Sequence, residues 1–467
     1  MTTPTEPTHV IGICGGAVAG SEAARLFAER GAIAIVFEQN TRPYGKIEDG
    51  LPRWHVKLRE KEYARIDENL DTTGVLFVPQ TRLGKDPSFS ELTEEMGLTA
   101  VILATGAWRD RPLPIEGIDR FVGRGLIYQN PLVYWFNHYP DPDFAGPQID
   151  VPDGAIVVGG GLASIDVVKL LNLEVFRRAL RERGIEVDAV AMEQAGIAET
   201  LDAHGLSAEE LGVEGCTLYY RRRMRDMPLA AAKNPTPAQL EKLEVTRTRI
   251  MEKVMRKFLV RMEECCSPIA PIEDGDRLAG LVFRRNAVEA GRLREVEGSD
   301  FEARAPLVVS SIGSLPQLIE GVPTEGDLYP FDSEERGVLR GVDSVFGLGN
   351  VLTGKGNIRD SRANASVVAE RIIENLIGVP DAPDTIDDMS DALHDEFRAR
   401  AQPLVDRALA GAKLAPEQIA PILERVRRRW DEVGYAGTYR TSIEAHRLVP
   451  PFVSQIYETL YRYKYET

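Results

Sequence analysis

Two short glycine-rich stretches are the first candidates for chemistry, because their spacing suits the binding of phosphate groups. They read "ICGGAVAGSEAARLF" from residue 13 and "VVGGGLASIDVVKLL" from residue 157. Each follows an apolar run and precedes a helical pattern, which predicts a strand, a tight turn and a helix. Gly15 and Gly159 allow the turn, Gly161 lets backbone approach a pyrophosphate, and Gly20 and Ser164 let the helix pack closely on its strand. The sequence therefore predicts two dinucleotide-binding turns.

The two stretches differ in the residues that would recognise the rest of a nucleotide. In the first, Ala17 replaces the middle glycine, which tightens the turn by one methyl group. Glu38 ends the next strand, where a carboxylate accepts hydrogen bonds from a ribose diol. In the second, a helical insertion over residues 172–213 precedes a strand that ends at Arg221 and Arg222. Two guanidinium groups there suit a ribose 2′-phosphate, with a solvated arginine surface as the alternative.

Composition and charge exclude several classes of protein. The 467 residues include 56 Lys and Arg against 72 Asp and Glu, a net charge of −16. The length indicates two or three domains. The negative net charge indicates a protein that as a whole repels nucleic acid and anionic lipid. The opening "MTTPTEPTH" lacks the features of a signal peptide, and no long apolar run follows, so we expect a cytoplasmic protein without membrane insertion. The four cysteines form no C-x-x-C pair, so we expect neither a metal centre nor a redox disulfide.

Three further segments have the character of a strand followed by a loop. One ends in Ala104, Thr105 and Gly106, and another ends at Gly313. Residues 344–378 give a strand, a glycine-rich loop and an amphipathic helix. This alternation of strands and helices predicts an α/β protein with two Rossmann-like dinucleotide-binding domains.

The order of these segments, over about residues 8–378, resembles the adrenodoxin reductase-like ferredoxin–NADP reductases. These are two-dinucleotide-binding flavoproteins related to the glutamate synthase small subunit. The resemblance implies FAD on the first turn and NADP(H) on the second. It implies an FAD domain of residues 1–110 and 325–378, interrupted by an NADPH domain of residues 111–324. Residues 379–467 are then a helical C-terminal extension.

The resemblance also implies the residues of the site. The stretch "RPYGKIEDGLPRWH", residues 42–55, is similar to the family segment that runs past the flavin. It makes His55 the catalytic candidate, with a merely packed histidine as the alternative. The stretch "GNVLTGKGNI" is similar to the family segment over the flavin ring. The implied cofactor-binding residues are Gly15, Gly16, Ala17, Ala19, Gly20, Glu38, Gln39, Gly45, Lys46, Leu51, Ala104, Thr105, Gly106, Gly159, Gly161, Leu162, Ala163, Ser164, Arg221, Arg222, Gly313, Gly349, Asn350, Gly356, Asn357 and Ile358.

The chain departs from the family pattern beside the predicted flavin. Asn350 stands where the family has a tryptophan, and Trp54 stands where it has an aspartate before the histidine. The final loop is also one residue shorter. Because these changes lie away from the arginines of the second turn, they bear on the flavin's potential and electron acceptor more than on its presence.

The resemblance implies an NADPH-dependent flavoenzyme that exchanges electrons with a ferredoxin-type iron–sulfur carrier. A basic cluster on a helical stretch would either steer an acidic carrier or form a solvated face; it consists of Arg247, Arg249, Lys253, Arg256 and Lys257. The alternatives are a flavoenzyme acting on a small organic substrate, an electron-input subunit of a larger complex, and a non-catalytic nucleotide-binding scaffold.

The C-terminal region shows an apolar stripe at helical spacing. Its residues are Ile419, Ile422, Leu423, Val426 and Trp430. Such a stripe would cover the flavin domain, form a homo-oligomer or dock a partner, and the sequence leaves these alternatives open.

Overall fold

The computed structural model describes residues 7–142, 144–229, 236–333, 336–353 and 384–447. The helices are α1 Val18–Glu29, α2 Lys46–Asp49, α3 Val56–Leu70, α4 Gln129–His138, α5 Leu162–Arg181, α6 Ala189–Ala195, α7 Ile197–Ala203, α8 Ala208–Leu211, α9 Pro237–Phe258, α10 Asn350–Thr353, α11 Asp384–Leu409, α12 Pro416–Val433 and α13 Tyr439–Arg447. The strands are β1 Val10–Cys14, β2 Ile33–Phe37, β3 Val75–Val78, β4 Ala100–Leu103, β5 Arg109–Asp110, β6 Leu126–Tyr128, β7 Ile156–Gly159, β8 Thr217–Tyr220, β9 Arg261–Glu264, β10 Cys266–Asp274, β11 Arg277–Glu289, β12 Arg292–Glu295, β13 Phe301–Arg304, β14 Val308–Ser311, β15 Ser314–Leu315 and β16 Val345–Gly347.

The first sheet is parallel, with strand order β16-β4-β1-β2-β3. Every residue of β1 and β4 is buried, because helices cover both faces of the sheet. One face packs against α1, and α11 packs over α1 with Leu404 and Val405 in the same core. The other face packs against Ile419, Ile422 and Val426 of α12. The apolar stripe predicted in the C-terminal region therefore covers the first sheet.

The second sheet is also parallel, with strand order β6-β14-β7-β8-β9. Helices α4, α5 and α9 share one large core with its strands. Between β9 and β14 the chain forms an antiparallel sheet of β10, β11, β12 and β13, which the sequence did not single out. The predicted α/β class with two Rossmann-like sheets and C-terminal helices is confirmed.

The segment that leads from the first sheet to the second lies beside the segment that leads back. Strand β5, which leaves the first sheet, pairs antiparallel with β15, which follows β14 of the second sheet. The two crossing segments therefore run side by side. Within the described ranges, no helix is long and apolar enough to cross a membrane. The amphipathic helix predicted after the final glycine-rich loop falls within residues 354–383, outside the described residues.

Candidate functional site

The first glycine turn, between β1 and α1, is as tight as its sequence requires. Gly15 has φ +101°, and a Cβ atom there would lie 2.6 Å from the Ala104 carbonyl oxygen. A Cβ atom on Gly20 would lie 1.8 Å from the Gly15 carbonyl oxygen, so only glycine lets α1 approach β1 this closely. Ala17 is the N-cap of α1 with φ −71°, and no side chain caps the helix. The first amides of α1 are thus not engaged by a side-chain cap, and an uncapped helix start of this kind can bind an anion.

Glu38 lies at the carboxyl end of β2, beside the turn. Its Oε2 accepts a hydrogen bond of 2.8 Å from the Gly16 amide, and its Oε1 accepts one of 3.0 Å from the Asn40 amide. Burial raises the pKa of Glu38 to about 7, although these amides act in the opposite direction. The carboxyl group therefore sits next to the glycine turn and is already ordered by backbone donors.

A deep cleft opens at this end of the first sheet. The predicted site residues that line it are Gly15, Ala17, Ala19, Glu38, Gln39, Gly45, Lys46, Leu51, Ala104, Thr105, Gly106, Leu162, Ala163 and Asn350. The predicted residues that lie outside its lining are Gly16, Gly20, His55, Gly159, Gly161, Ser164, Arg221, Arg222, Gly313 and Gly349. Gly356, Asn357 and Ile358 lie outside the described residues. The structure thus brings residues of both turns to one cavity.

A buried polar group forms the cleft wall near Lys46. The Lys46 Nζ donates hydrogen bonds of 3.2 Å to Asn130 Oδ1 and 3.1 Å to Ser314 Oγ. It also lies 5.3 Å from the centre of the Trp108 ring. Burial lowers the pKa of Lys46 to about 8, while the charge of Asp110 acts in the opposite direction. A cation with so lowered a pKa can lose or keep its proton near neutral pH.

The second turn contributes the first residues of α5 to the same cleft. Ser164 Oγ donates a hydrogen bond of 2.9 Å to the Ser311 carbonyl, which ties α5 to β14. A Cβ atom on Gly159 would lie 2.5 Å from that same carbonyl oxygen. Like α1, α5 has no side-chain cap at its N-terminus. The second turn therefore packs its helix closely on its strand, as the first does, with Ser164 at the position that Gly20 has in the first turn.

Arg221 and Arg222 follow directly after β8, at the strand end where the sequence predicted them. Arg221 is exposed, and Arg222 donates a hydrogen bond of 2.8 Å from Nη1 to the Gly291 carbonyl. The next residue, Arg223, is instead engaged by both carboxylate oxygens of Asp226, at 2.7 and 2.9 Å. The three consecutive arginines thus have different partners.

His55 lies behind the cleft lining and is buried. Trp54 Nε1 donates a hydrogen bond of 3.0 Å to His55 Nε2, which leaves that nitrogen as an acceptor. Asp166 Oδ1 lies 3.4 Å from the same nitrogen, a close contact of two acceptors rather than a second hydrogen bond, and Asp166 itself lines the cleft. The Trp54 ring in turn packs 5.0 Å from the Nζ of the buried Lys169. Asp166 thus lies between the histidine and the cleft, and the sequence carried no signal for it.

Another lining residue that the sequence analysis missed comes from the C-terminal region. Phe397 of α11 lines the cleft, at a distance of 3.3 Å from a Cβ atom built on Gly349. No glycine pattern or charge marks this phenylalanine, so the sequence carried no signal for it. Trp108, Asn130 and Gln317 line the cleft without a sequence signal as well.

The four cysteines are unpaired thiols. Burial raises the pKa of Cys14, which lines the cleft, and that of Cys216 to about 12. Thiols with such pKa values are poor nucleophiles. Across the part of the chain that the structure describes, no group of His, Cys, Asp and Glu side chains is arranged to hold a metal ion.

Known proteins similar to this chain include enzymes that use NADPH. The mitochondrial NADPH:adrenodoxin oxidoreductase of Arabidopsis thaliana is 26% identical over 260 residues, which are 52% of this chain and 50% of that protein. The glutamate synthase [NADPH] small chain of Bacillus subtilis is 34% identical over 161 residues, which are 34% of this chain and 31% of that protein. The matched regions therefore span half or less of these relatives. No family model matches the chain.

The fold is shared with a solved structure, that of FprA from Mycobacterium tuberculosis in complex with NADPH. The two chains are 19% identical, with a TM-score of 0.58 and 91% of each chain covered. This coverage exceeds residues 8–378, so the likeness in fold extends beyond the two nucleotide-binding regions. In sequence the chain is similar to adrenodoxin reductase-like two-dinucleotide-binding oxidoreductases, and in fold it is similar to FprA.

Proposed function

We propose that the first turn and its cleft hold FAD. The fit rests on three observations: the close turn at Gly15 and Gly20, the uncapped start of α1, and the Glu38 carboxyl group at the end of β2. The α1 amides would bind the pyrophosphate, and Glu38 would bind the adenosine ribose. The lining residues Gly45, Lys46 and Leu51 would then flank the flavin. FAD supplies a centre that accepts two electrons together and releases them singly.

We further propose that NADPH binds the second turn, with Arg221 and Arg222 on its 2′-phosphate. The observation that carries the whole proposal is that Leu162, Ala163 and Asp166 of α5 line the same cleft as Gly15 and Glu38. A nicotinamide held by the second turn would therefore enter the cavity that holds the flavin. The walls of the cavity would exclude water and bring the two rings together, which would be the protein's contribution to hydride transfer.

The proposed function is transfer of electrons between NADPH and an external acceptor, which we identify as a small acidic iron–sulfur carrier of ferredoxin type. The relative from Arabidopsis is by name an adrenodoxin oxidoreductase, which supports this class of partner. The absence of a cysteine pair in the cleft also supports an external acceptor. We assign the FAD domain to residues 1–110 and 325–378, and the NADPH domain to residues 111–324.

Anaerobic titration tests this proposal. The purified protein should show flavin absorbance, which NADPH should bleach without oxygen, and addition of an oxidised ferredoxin should restore it. NADH at the same concentration is the matched control and should bleach it more slowly. A protein that binds no FAD on reconstitution would contradict the proposal, and so would reduced protein that a panel of ferredoxins fails to reoxidise.

A second candidate function is electron input into a larger complex. The Bacillus relative is by name a small chain, so it works beside another subunit. Purification of the tagged protein from its own cells would separate the two functions. If a second subunit that oxidises the reduced flavin is recovered in equal amount, electron input into a complex is favoured. If the protein is recovered without a second subunit and reduces ferredoxin, electron transfer to a ferredoxin-type carrier is favoured.

A further inference from the structure

Helix α11 packs along α1, the helix that begins at the first glycine turn. Its contact face repeats at helical spacing and contains His394, Phe397, Arg398, Ala401, Leu404 and Val405. Residues three and four apart lie on one face of a helix, so whatever fixes His394 and Arg398 also fixes the direction of Phe397. Helix α11 therefore packs as one unit with α1, which begins at the first glycine turn.

A buried charge cluster fixes α11 in place. His394 and Glu62 of α3 have no exposed surface, and His394 Nε2 lies 2.9 Å from Glu62 Oε2. The other ring nitrogen lies 3.7 Å from Glu22 Oε2 of α1, an ion-pair distance. Arg398 Nε donates a hydrogen bond of 2.9 Å to Glu22 Oε1. Burial alone would lower the pKa of His394, but the two carboxylates outweigh it and raise that pKa.

Phe397 stands between the two residues of this cluster on α11 and points into the cleft. Its ring lies beside Gly349, and a Cβ atom on Gly349 would also lie 3.0 Å from the Ala19 Cβ. Ala19 belongs to the first turn of α1, whose amides are proposed to bind the pyrophosphate. The ring therefore borders the segment where the pyrophosphate is proposed to bind.

We propose that α11 is part of the cofactor site: the His394–Glu22–Glu62 cluster holds α11 on α1, and Phe397 closes the cleft over the cofactor and retains it. This inference rests on the proposed binding of FAD to the first turn. It assigns to the C-terminal region a role in cofactor retention in addition to covering the sheet.

The test measures the rate of FAD release from the full-length protein, followed by the rise in flavin fluorescence after dilution. Phe397→Ala should accelerate release about tenfold, because a ring bordering the cofactor is lost. Asp406→Ala is the matched control, since Asp406 pairs with Arg30, directly after α1, across the same interface but at the surface. Its release rate should equal that of the unsubstituted protein.

Hydrogen exchange of the unsubstituted protein gives a second readout. Binding and packing are reciprocally coupled, so FAD should slow exchange of the amides in residues 391–409. Suppose that the unsubstituted protein binds FAD tightly. An unchanged rate of FAD release in Phe397→Ala, or hydrogen exchange in α11 that FAD does not change, would then overturn this inference and leave the proposed function intact. An unsubstituted protein that binds no FAD would overturn both.

Discussion

The β1–α1 and β7–α5 turns use the same backbone geometry but differ in what surrounds them. The first lies beside a buried carboxyl group, Glu38, and under a C-terminal helix, so its ligand would be enclosed. Near the second, the neighbouring strand β8 ends at Arg221, which is exposed. A resident cofactor gains from enclosure, whereas a substrate that must leave in every cycle gains from an open, charged approach. Two turns of the same backbone geometry thus suit ligands with different residence times.

The largest expected effect comes from removing the close approach in one turn at a time. Gly20→Val would force α1 away from the Gly15 carbonyl, so we expect purified protein without flavin and a loss of stability of about 1–3 kcal/mol or more. Flavin absorbance and thermal unfolding measure these effects. Ser164→Val should instead retain FAD and lose NADPH binding. Ala17→Gly is the mild control, and it should keep FAD. Flavin loss in Ser164→Val rather than in Gly20→Val would reverse our assignment of the two ligands.

The two arginines that follow β8 give the next largest effect. Replacing Arg221 and Arg222 with alanine should weaken NADPH binding by about 1.5–3 kcal/mol for each charged hydrogen bond that is lost. The affinity for NADH, which has no 2′-phosphate, should change little. Arg223→Ala is the matched control, because Asp226 already engages that guanidinium group. Titration of both nucleotides measures the effect, and equal affinities in the unsubstituted protein would argue against a phosphate site.

The buried His138 should make the free energy of unfolding depend on pH. Burial would lower the pKa of His138, but hydrogen bonds with Asp141 and Asp49 outweigh it and raise that pKa to about 9. Because this exceeds the unfolded value of about 6.5, protonated His138 stabilises the fold below about pH 6.5, and this stabilisation is lost as the pH rises through about 9.

The free energy of unfolding should therefore contain a contribution of at most about 3 kcal/mol that disappears between these pH values. Denaturant unfolding of the unsubstituted protein and of His138→Gln, at several pH values, isolates it as the difference between two curves. This subtraction removes the titration of Glu38 and Lys46, which both proteins share. The difference reports His138 together with Glu48, because the charge of His138 lowers the pKa of Glu48. Parallel curves would show that His138 is not charged in the fold.

The smallest expected effect concerns His55. Its removal takes away the imidazole that packs against Asp166 at the cleft, so flavin reduction by NADPH should slow about tenfold, which is 1.36 kcal/mol of barrier. FAD content and NADPH affinity should stay near those of the unsubstituted protein. Trp54→Phe, which removes only the indole donor, should slow the reaction less. Stopped-flow reduction measures the rates, and an unchanged rate in His55→Ala would remove His55 from the mechanism.

Local features of the chain were predictable, and contacts between distant segments were not. The turns at Gly15 and Gly159 follow from apolar runs and glycines that are adjacent in sequence, and both strands and helices lie where expected. Phe397 had no such signal, because its role depends on where α11 packs, and an apolar face specifies burial without naming its partner. Asp166 was missed for a related reason: its significance comes from His55, which is far away in the chain.

The strand order of the first sheet has a consequence for the order of synthesis. Its edge strand β16 and the covering helices α11 and α12 are made after every strand of the second sheet, which lies within residues 126–311. On the ribosome the second sheet can therefore finish folding while β4 still exposes an unpaired edge. The first glycine turn is made before the second sheet but is covered only after α11 has been made, so a ligand on it would be enclosed only after the second sheet is complete.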